Sequence, residues 1–379
     1  MERVFWIAAL GAASACAKPT KPAAIADPLV VVTHGADDIV DVHEAEEIPG
    51  YVVTFGKAKG FPTSLQFLGQ ELLGTGACPL ESLVGTALYP GAIAAGDIPE
   101  DPTSTLAFDL EGPAVARAKV TYSVPYDCNG TPQHLTGTST FAFFPFGRIV
   151  RHDDATASDT ALPAGPECTC SSDNNYFFTS YWTFIPGAAP FTPADQPISE
   201  GDYDAPTACF AYNVQGAFIG IRYSDARTRI LLTGDNNVSR FVYDFQRTAP
   251  SLPMGERGSV DSAIQLSDTQ PVPCSQLTEP LEDRGLRVDG RAAVLDGSGI
   301  YTDPGSDYGR KVAITGSGPA ISPGFVVSLA GVHEHLKVNR ENTEETYFLP
   351  QLDRAGGRTL VWFRDALLPG ETAEIELLE

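Results

Sequence analysis

No window of this chain is long and uncharged enough to cross a bilayer as a helix, which takes about 20 apolar residues. Its leading apolar run, Val4 to Leu10, is too short. A block of lysine and arginine is missing as well. With 25 basic residues against 48 acidic ones and a net charge of −23, the chain lacks the clustered cations that neutralise a phosphate backbone, which excludes nucleic acid as a partner. The same acidity disfavours a broad face lying on anionic lipid. There is no Ser-centred nucleophile elbow, Walker loop, Rossmann glycine run or zinc-finger spacing, so no reaction is legible from a motif. No helical period is sustained beyond about two turns. Punctuation is abundant instead. The sequence holds 36 Gly and 30 Pro between short apolar runs, and 20 Phe and 13 Tyr to build a core. That is the texture of an all-β protein.

Seven cysteines is an odd number, and Cys16 stands apart from the rest. Before it come one Arg, the apolar run and the small residues Ala12-Ala13-Ser14-Ala15, the order of a bacterial secretory signal. A Cys directly after the cleavage site resembles a lipoprotein box, whose thiol receives diacylglycerol. Ala13 stands where such boxes usually carry Leu, and cleavage as an ordinary A-x-A signal is the alternative. Ala17 after the Cys resembles the outer-membrane class of Gram-negative lipoproteins. We therefore expect a signal peptide over 1–15, a Lys-, Pro- and Ala-rich tether over 16–28, and attachment to the cell envelope through lipid on Cys16. Setting Cys16 aside leaves an even six: Cys78, Cys128, Cys168, Cys170, Cys209 and Cys274. In an oxidising compartment they are disulfide candidates, with 15 possible connectivities and no means of choosing among them from sequence.

Strand signals begin at Leu29–Thr33. Tyr51–Phe55 and Ser64–Leu68 flank a Gly- and Pro-marked turn, a hairpin signal. In Ala114–Val124, Arg117, Lys119 and Thr121 alternate with Ala116, Ala118, Val120 and Tyr122, which predicts a strand with one wet face. Leu135–Phe144 and Gly147–Asp153 form a second hairpin. Five closely spaced strands follow between 176 and 245, for which antiparallel pairing is the economical topology. The segment 251–284 is Pro-, Ser- and Glu-rich and reads as a linker or surface crossing. Seven more short strands run to the C-terminus. The expected fold is thus all-β: a large antiparallel β-sandwich over 29–250 and a smaller C-terminal β-sandwich unit over 285–379.

Two segments carry a resemblance. Tyr51-Val-Val-Thr-Phe-Gly-Lys-Ala-Lys-Gly-Phe-Pro-Thr-Ser-Leu-Gln-Phe-Leu-Gly-Gln-Glu-Leu-Leu-Gly74 is similar to the opening hairpin of galactose-mutarotase-like supersandwich domains. Thr138-Ser-Thr-Phe-Ala-Phe-Phe-Pro-Phe-Gly-Arg-Ile-Val-Arg-His152 resembles the F-P-x-G-R-I hairpin of the same domains in carbohydrate-active proteins. The resemblance implies a supersandwich and carbohydrate as the ligand class. It carries over no catalytic residues: the two-His-and-Glu motifs of mutarotases cannot be placed, and no helical region is present to form the toroid of the polysaccharide lyases. The expectation is therefore a carbohydrate-binding protein more than an enzyme. The alternatives are a sugar epimerase or lyase, or an interaction lipoprotein with no small-molecule site.

Individual residues give four candidate chemistries. Arg148 and His152 alternate onto one strand face, where an arginine fork could hold a hydroxylated or acidic ligand. Tyr181 or Trp182 could offer a ring for a sugar to stack on, although aromatic strands in sandwiches are usually core. His333 and His335, two apart, would share a strand face and could meet one zinc if a third ligand arrived from elsewhere; two polar residues on a wet face are the simpler expectation. Asp173-Asn174-Asn175, Asp235-Asn236-Asn237 and the Asp296–Asp307 loop hold calcium-type oxygens without EF-hand spacing, which ordinary turns also produce. No cofactor is expected.

Overall fold

The computed structural model describes residues 28–45, 48–56, 60–73, 84–89, 93–94, 104–128, 131–157, 161, 177–184, 188–191, 201–204, 209–214, 216–224, 229–235, 238–247, 253–269, 279–305, 307–340, 343–345 and 348–378. The leader and tether, with Cys16, lie outside them, as do Cys78, Cys168, Cys170 and Cys274.

Described residues form five β-sheets and one short 3-10 turn, Glu279–Leu281. The centre is an eight-stranded antiparallel sheet. Its order is Ala188–Phe191, Cys209–Val214, Ala217–Tyr223, Glu256–Ser267, Arg148–Ala157, Thr131–Phe144, Ala116–Cys128 and Thr105–Glu111. Two sheets cover its inner face. One is a five-stranded meander from Val30–His34 to Gln70–Glu71 that contains the expected hairpin, Tyr51–Phe55 paired with Pro62–Phe67. The other is six-stranded and built around Phe177–Phe184, which pairs with Val238–Arg247 on one side and Val84–Tyr89 on the other.

The period-2 rule sets what each face buries. In Ala116–Cys128, Ala116, Ala118, Val120 and Tyr122 are buried, while Lys119 and Thr121 are exposed. Phe141 and Phe143 on the next strand face inward. Phe55 from the meander meets both ring edges at 5.8 Å, and Trp182 from the six-stranded sheet meets Phe141 at 6.0 Å. Each such ring removes roughly 150–250 Å² from water, so this aromatic layer is the main source of cohesion. One ion pair is sealed inside it. Arg151 Nε lies 2.9 Å from Asp153 Oδ1, both side chains being 1% exposed. Ser139 and Ser180 donate to the same carboxylate at 2.6 and 2.7 Å, and the guanidinium lies 5.3 Å from the Phe141 ring centre.

Within the segment 251–284, expected to be a linker or surface crossing, the structure places a core strand. Glu256–Ser267 is a twelve-residue strand in the middle of the eight-stranded sheet, paired with Arg148–Ala157 and Ala217–Tyr223. Gly258, Val260, Ser262, Ile264 and Leu266 form its buried face. Small residues at two of those five positions weaken the apolar alternation, and this hid the strand.

The C-terminal unit is a second, smaller sandwich. A six-stranded sheet holds Lys311–Gly316, Thr372–Leu378 and His335–Arg340 at its centre. A five-stranded sheet holds Phe325–Ala330, Arg358–Phe363 and Phe348–Asp353. Its one parallel pair joins Tyr301–Thr302 to Phe325–Ala330. Val312, Ile314, Val327, Leu329, Val361, Phe363 and Ile375 pack between the sheets.

This unit docks on the outer face of the eight-stranded sheet. Gln351, 2% exposed, accepts from the Ala114 and Val115 N–H groups at 3.0 and 2.8 Å and donates to the Val115 carbonyl at 3.0 Å. The Phe146 and Trp362 rings lie 5.3 Å apart. The loop Asp296–Ile300 settles over Val150 and His152, with Arg117 donating to Ser298 Oγ at 3.2 Å.

Candidate binding cleft

Three separate segments converge at one end of the C-terminal sandwich. Tyr308, Gly309 and Arg310 lead into one strand, Val332 to His335 lead into another, and Leu377–Leu378 end the strand between those two. Together they line an open cleft of about 930 Å³. One side chain after another is fixed by backbone. The Tyr308 hydroxyl donates to the Gly305 carbonyl at 3.1 Å and accepts from the Ala330 N–H at 3.0 Å. Burial raises its pKa, so it stays protonated at neutral pH. The ring stands edge-on to His333 at 6.2 Å, with the Arg291 guanidinium 5.9 Å from its centre.

His333 is held from both ends. Its backbone N–H donates to Thr359 Oγ1 at 2.8 Å, and Nε2 sits 3.1 Å from the Ala330 carbonyl. A ring nitrogen facing a carbonyl must carry the proton, which leaves Nδ1 as the acceptor of the neutral ring. The turn that delivers it runs through Gly331 at φ 90°, a left-handed position that glycine adopts at little cost. His335 is exposed at the start of its strand. Glu334 is engaged by Arg354 at 2.7 Å, which lowers its carboxyl pKa and keeps it ionised. Arg310 pairs with Glu376 at 3.3 Å and is otherwise largely open to solvent. Val332, Leu377 and Leu378 give the cleft apolar walls. The arrangement offers fixed donors and acceptors around an apolar floor.

The expected site residues fall elsewhere or differently. His333 precedes its strand, so the two imidazoles do not sit on a shared strand face. No group of three His, Cys, Asp or Glu suited to a metal occurs among the described residues. Arg148 and His152 do share a face, but it is the outer face beneath the C-terminal unit. Arg148 is 9% exposed and donates to the Pro323 carbonyl at 3.3 Å, and His152 pairs with Asp261 at 2.6 Å. Trp182, in the six-stranded sheet, is 1% exposed and packs on the opposite, inner face of the eight-stranded sheet. Arg148, His152 and Trp182 therefore do not assemble as one site. The Tyr181 side chain, the tripeptide at 173–175 and Asn236–Asn237 lie outside the described residues. In the Asp296–Asp307 loop, Asp296 caps its own turn through the Ser298 and Ile300 N–H groups, and Asp303 pairs with Arg291 at 3.2 Å.

Sequence reading missed Tyr308 and Arg310 entirely. A lone Tyr-Gly-Arg before a strand carries no signal of its own, and the cleft exists only because three distant segments meet.

The fold and cleft define an all-β protein of two stacked antiparallel sandwiches. The chain matches no protein-family model and no curated protein. Among solved structures it is similar to galactose 1-epimerase from Lactobacillus acidophilus NCFM, at 9% identity and a TM-score of 0.36, covering 64% of this chain and 98% of that one. It is similar to a polysaccharide lyase at 9% identity and a TM-score of 0.33, covering 86% of this chain and 46% of that one. It is also similar to a heparan sulfate lyase mutant from Pedobacter heparinus, at 10% identity and a TM-score of 0.35, covering 78% and 41%. The chain thus spans less than half the length of either lyase.

Proposed function

We propose that this is an exported, lipid-anchored envelope protein that binds carbohydrate, and that the cleft around Tyr308, His333 and His335 receives the sugar. The cleft carries the reading. Its volume of about 930 Å³ falls within the roughly 300–1,000 Å³ of small-ligand sites, and its lining pairs apolar walls with a few placed polar groups. Sugars present both kinds of surface: C–H faces that suit Val332, Leu377 and Leu378, and hydroxyls that suit imidazole and guanidinium. The export signal at 1–15 and Cys16 supports attachment at the outer membrane. A glycan array probed with the mature protein tests the binding. Hits weakened at least tenfold by Arg310→Ala or His335→Ala are expected, and an array without a single hit sinks the reading. Mass spectrometry of the mature N-terminus should find diacylglycerol on Cys16.

A second reading, a carbohydrate-active enzyme of epimerase or lyase type, is favoured by one observation: Tyr308, Arg310, His333, Glu334 and His335 line a single cleft. The base is then an imidazole, His333 or His335, because the Tyr308 hydroxyl is locked and protonated and Glu334 is tied to Arg354. NMR of bound glycans over hours separates the two. Unchanged ligand spectra mean binding, whereas new anomeric or unsaturated signals abolished by His333→Ala mean turnover.

A further inference from the structure

We infer that Thr359 is the residue that positions His333, and that the imidazole so fixed presents Nδ1 as a hydrogen-bond acceptor that selects ligands by a free hydroxyl. This deepens, and rests on, the reading of the cleft as a sugar site.

Thr359 is fully buried in a strand paired on both sides, with Leu329 across one ladder and Leu352 across the other. Backbone braced in this way has little room to drift, and a β-branched side chain on it has few rotamers to choose from. A threonine hydroxyl has one proton to give and lone pairs with which to receive. Here both are used on a single turn. Oγ1 donates to the Gly331 carbonyl at 2.9 Å and accepts from the His333 N–H at 2.8 Å.

Two further bonds hold that turn. The Gly331 N–H donates to the Gly357 carbonyl at 2.8 Å, and the Ala330 N–H donates to the Tyr308 hydroxyl at 3.0 Å. The Ala330 carbonyl then meets His333 Nε2 at 3.1 Å. Glycine serves at 331 for space as well as for its φ of 90°, since a Cβ there would stand 3.0 Å from Nε2.

A carbonyl can only accept, so Nε2 carries the proton and the neutral ring keeps its lone pair on Nδ1. No described residue bonds to Nδ1, and the atom is not sealed from solvent. His333 lines the cleft beside the apolar Val332 and Leu377. What suits an open acceptor next to apolar wall is a hydroxyl on a C–H face. A sugar hydroxyl donates to it; a methoxy group or a bare methylene carbon does not. The cleft thus distinguishes a glycan with a free hydroxyl at that place from its O-methyl or deoxy analogue. His335, exposed at the head of its strand, gains no such frame from the described residues.

Two measurements test this. Heteronuclear NMR of the free protein reads the ring itself, with His333 assigned by its loss in His333→Gln. The result expected is an Nε2-bound proton that exchanges with water slowly enough to be seen in the wild type. It should vanish in folded Thr359→Val and return in Thr359→Ser; Thr359→Ala replaces a valine variant that does not fold. Gly331→Ala, which keeps Thr359 but crowds the ring, should lose it too. A wild-type proton on Nδ1, no visible ring proton at all, or a signal unchanged in Thr359→Val overturns the inference.

The second measurement titrates a glycan found on the array against the same variants. Thr359→Val should bind about fivefold more weakly, the worth of one neutral hydrogen bond, while Thr359→Ser matches the wild type. Among the deoxy and O-methyl analogues of that glycan, one position should cost the wild type a similar factor and cost His333→Phe nothing further. Analogues that all bind as well as the parent overturn the hydroxyl selection. If no glycan binds while the ring spectra come out as stated, the sugar reading has failed, the hydroxyl selection with it, and the positioning stands. If a glycan binds wild type and Thr359→Val equally, the sugar reading stands and the positioning is overturned.

Discussion

His152 Nδ1 lies 2.6 Å from Asp261 Oδ1, across two adjacent strands of the eight-stranded sheet and directly beneath Gly297 of the C-terminal unit. The hydrogen bond to Asp261 raises the His152 pKa, against the opposing effect of burial. A folded-state pKa above the unfolded value means the pair stabilises fully below the unfolded pKa and loses its effect as pH rises through the folded one. We therefore expect the melting temperature of wild type to exceed that of His152→Gln by more at pH 5.5 than at pH 9. Equal differences at both pH values would show that folding leaves the His152 pKa unshifted.

Gly297 itself is a close-packed position. A Cβ there would stand 2.8 Å from His152 Nδ1 and 2.9 Å from Asp261 Oδ1. Gly297→Ala must displace that pair, and overpacking of this kind costs about 1–3 kcal/mol. At Gly309 nothing lies within 4 Å, so Gly309→Ala serves as the neutral comparison in urea unfolding.

Gln351 anchors the C-terminal unit through three hydrogen bonds to Ala114 and Val115. Gln351→Leu leaves two buried N–H groups and a carbonyl without that partner. Each buried polar group left so costs about 1–3 kcal/mol. The expected loss in urea unfolding is about 2–5 kcal/mol, with earlier proteolytic cleavage between the units. A substitution without effect would mean water enters and replaces the side chain.

Removing one member of a buried ion pair takes a compensating charge from the other. Asp153→Ala leaves Arg151 charged at 1% exposure, between Phe141 and Trp182, and should cost about 3–5 kcal/mol. Arg151→Met combined with Asp153→Ala should cost less than the sum of the two single changes. Additive losses in this double-mutant cycle would show the pair to be uncoupled.

Much of this architecture is legible in particular residues. The alternation of Ala116, Ala118, Val120 and Tyr122 with Arg117, Lys119 and Thr121 announced one strand, and the glycine turns at 56–60 and 145–147 announced two hairpins. These signals are local, because a strand repeats every two residues and a turn needs a few specific φ values. Glu256–Ser267 went unread because Gly258 and Ser262 stand where apolar residues would have marked its inner face; such gaps are tolerated in a central strand whose backbone is paired on both sides.

The sequence by itself determined the all-β class, the first hairpins and the inner and outer faces of several strands, since each follows from contacts between near neighbours. Only the tertiary structure decided that the C-terminal unit covers Arg148 and His152, and that Tyr308, His333 and Leu377 share a cleft. The physical reason is that packing of one sheet on another joins residues far apart in the chain, and no local periodicity encodes which distant face will bury which.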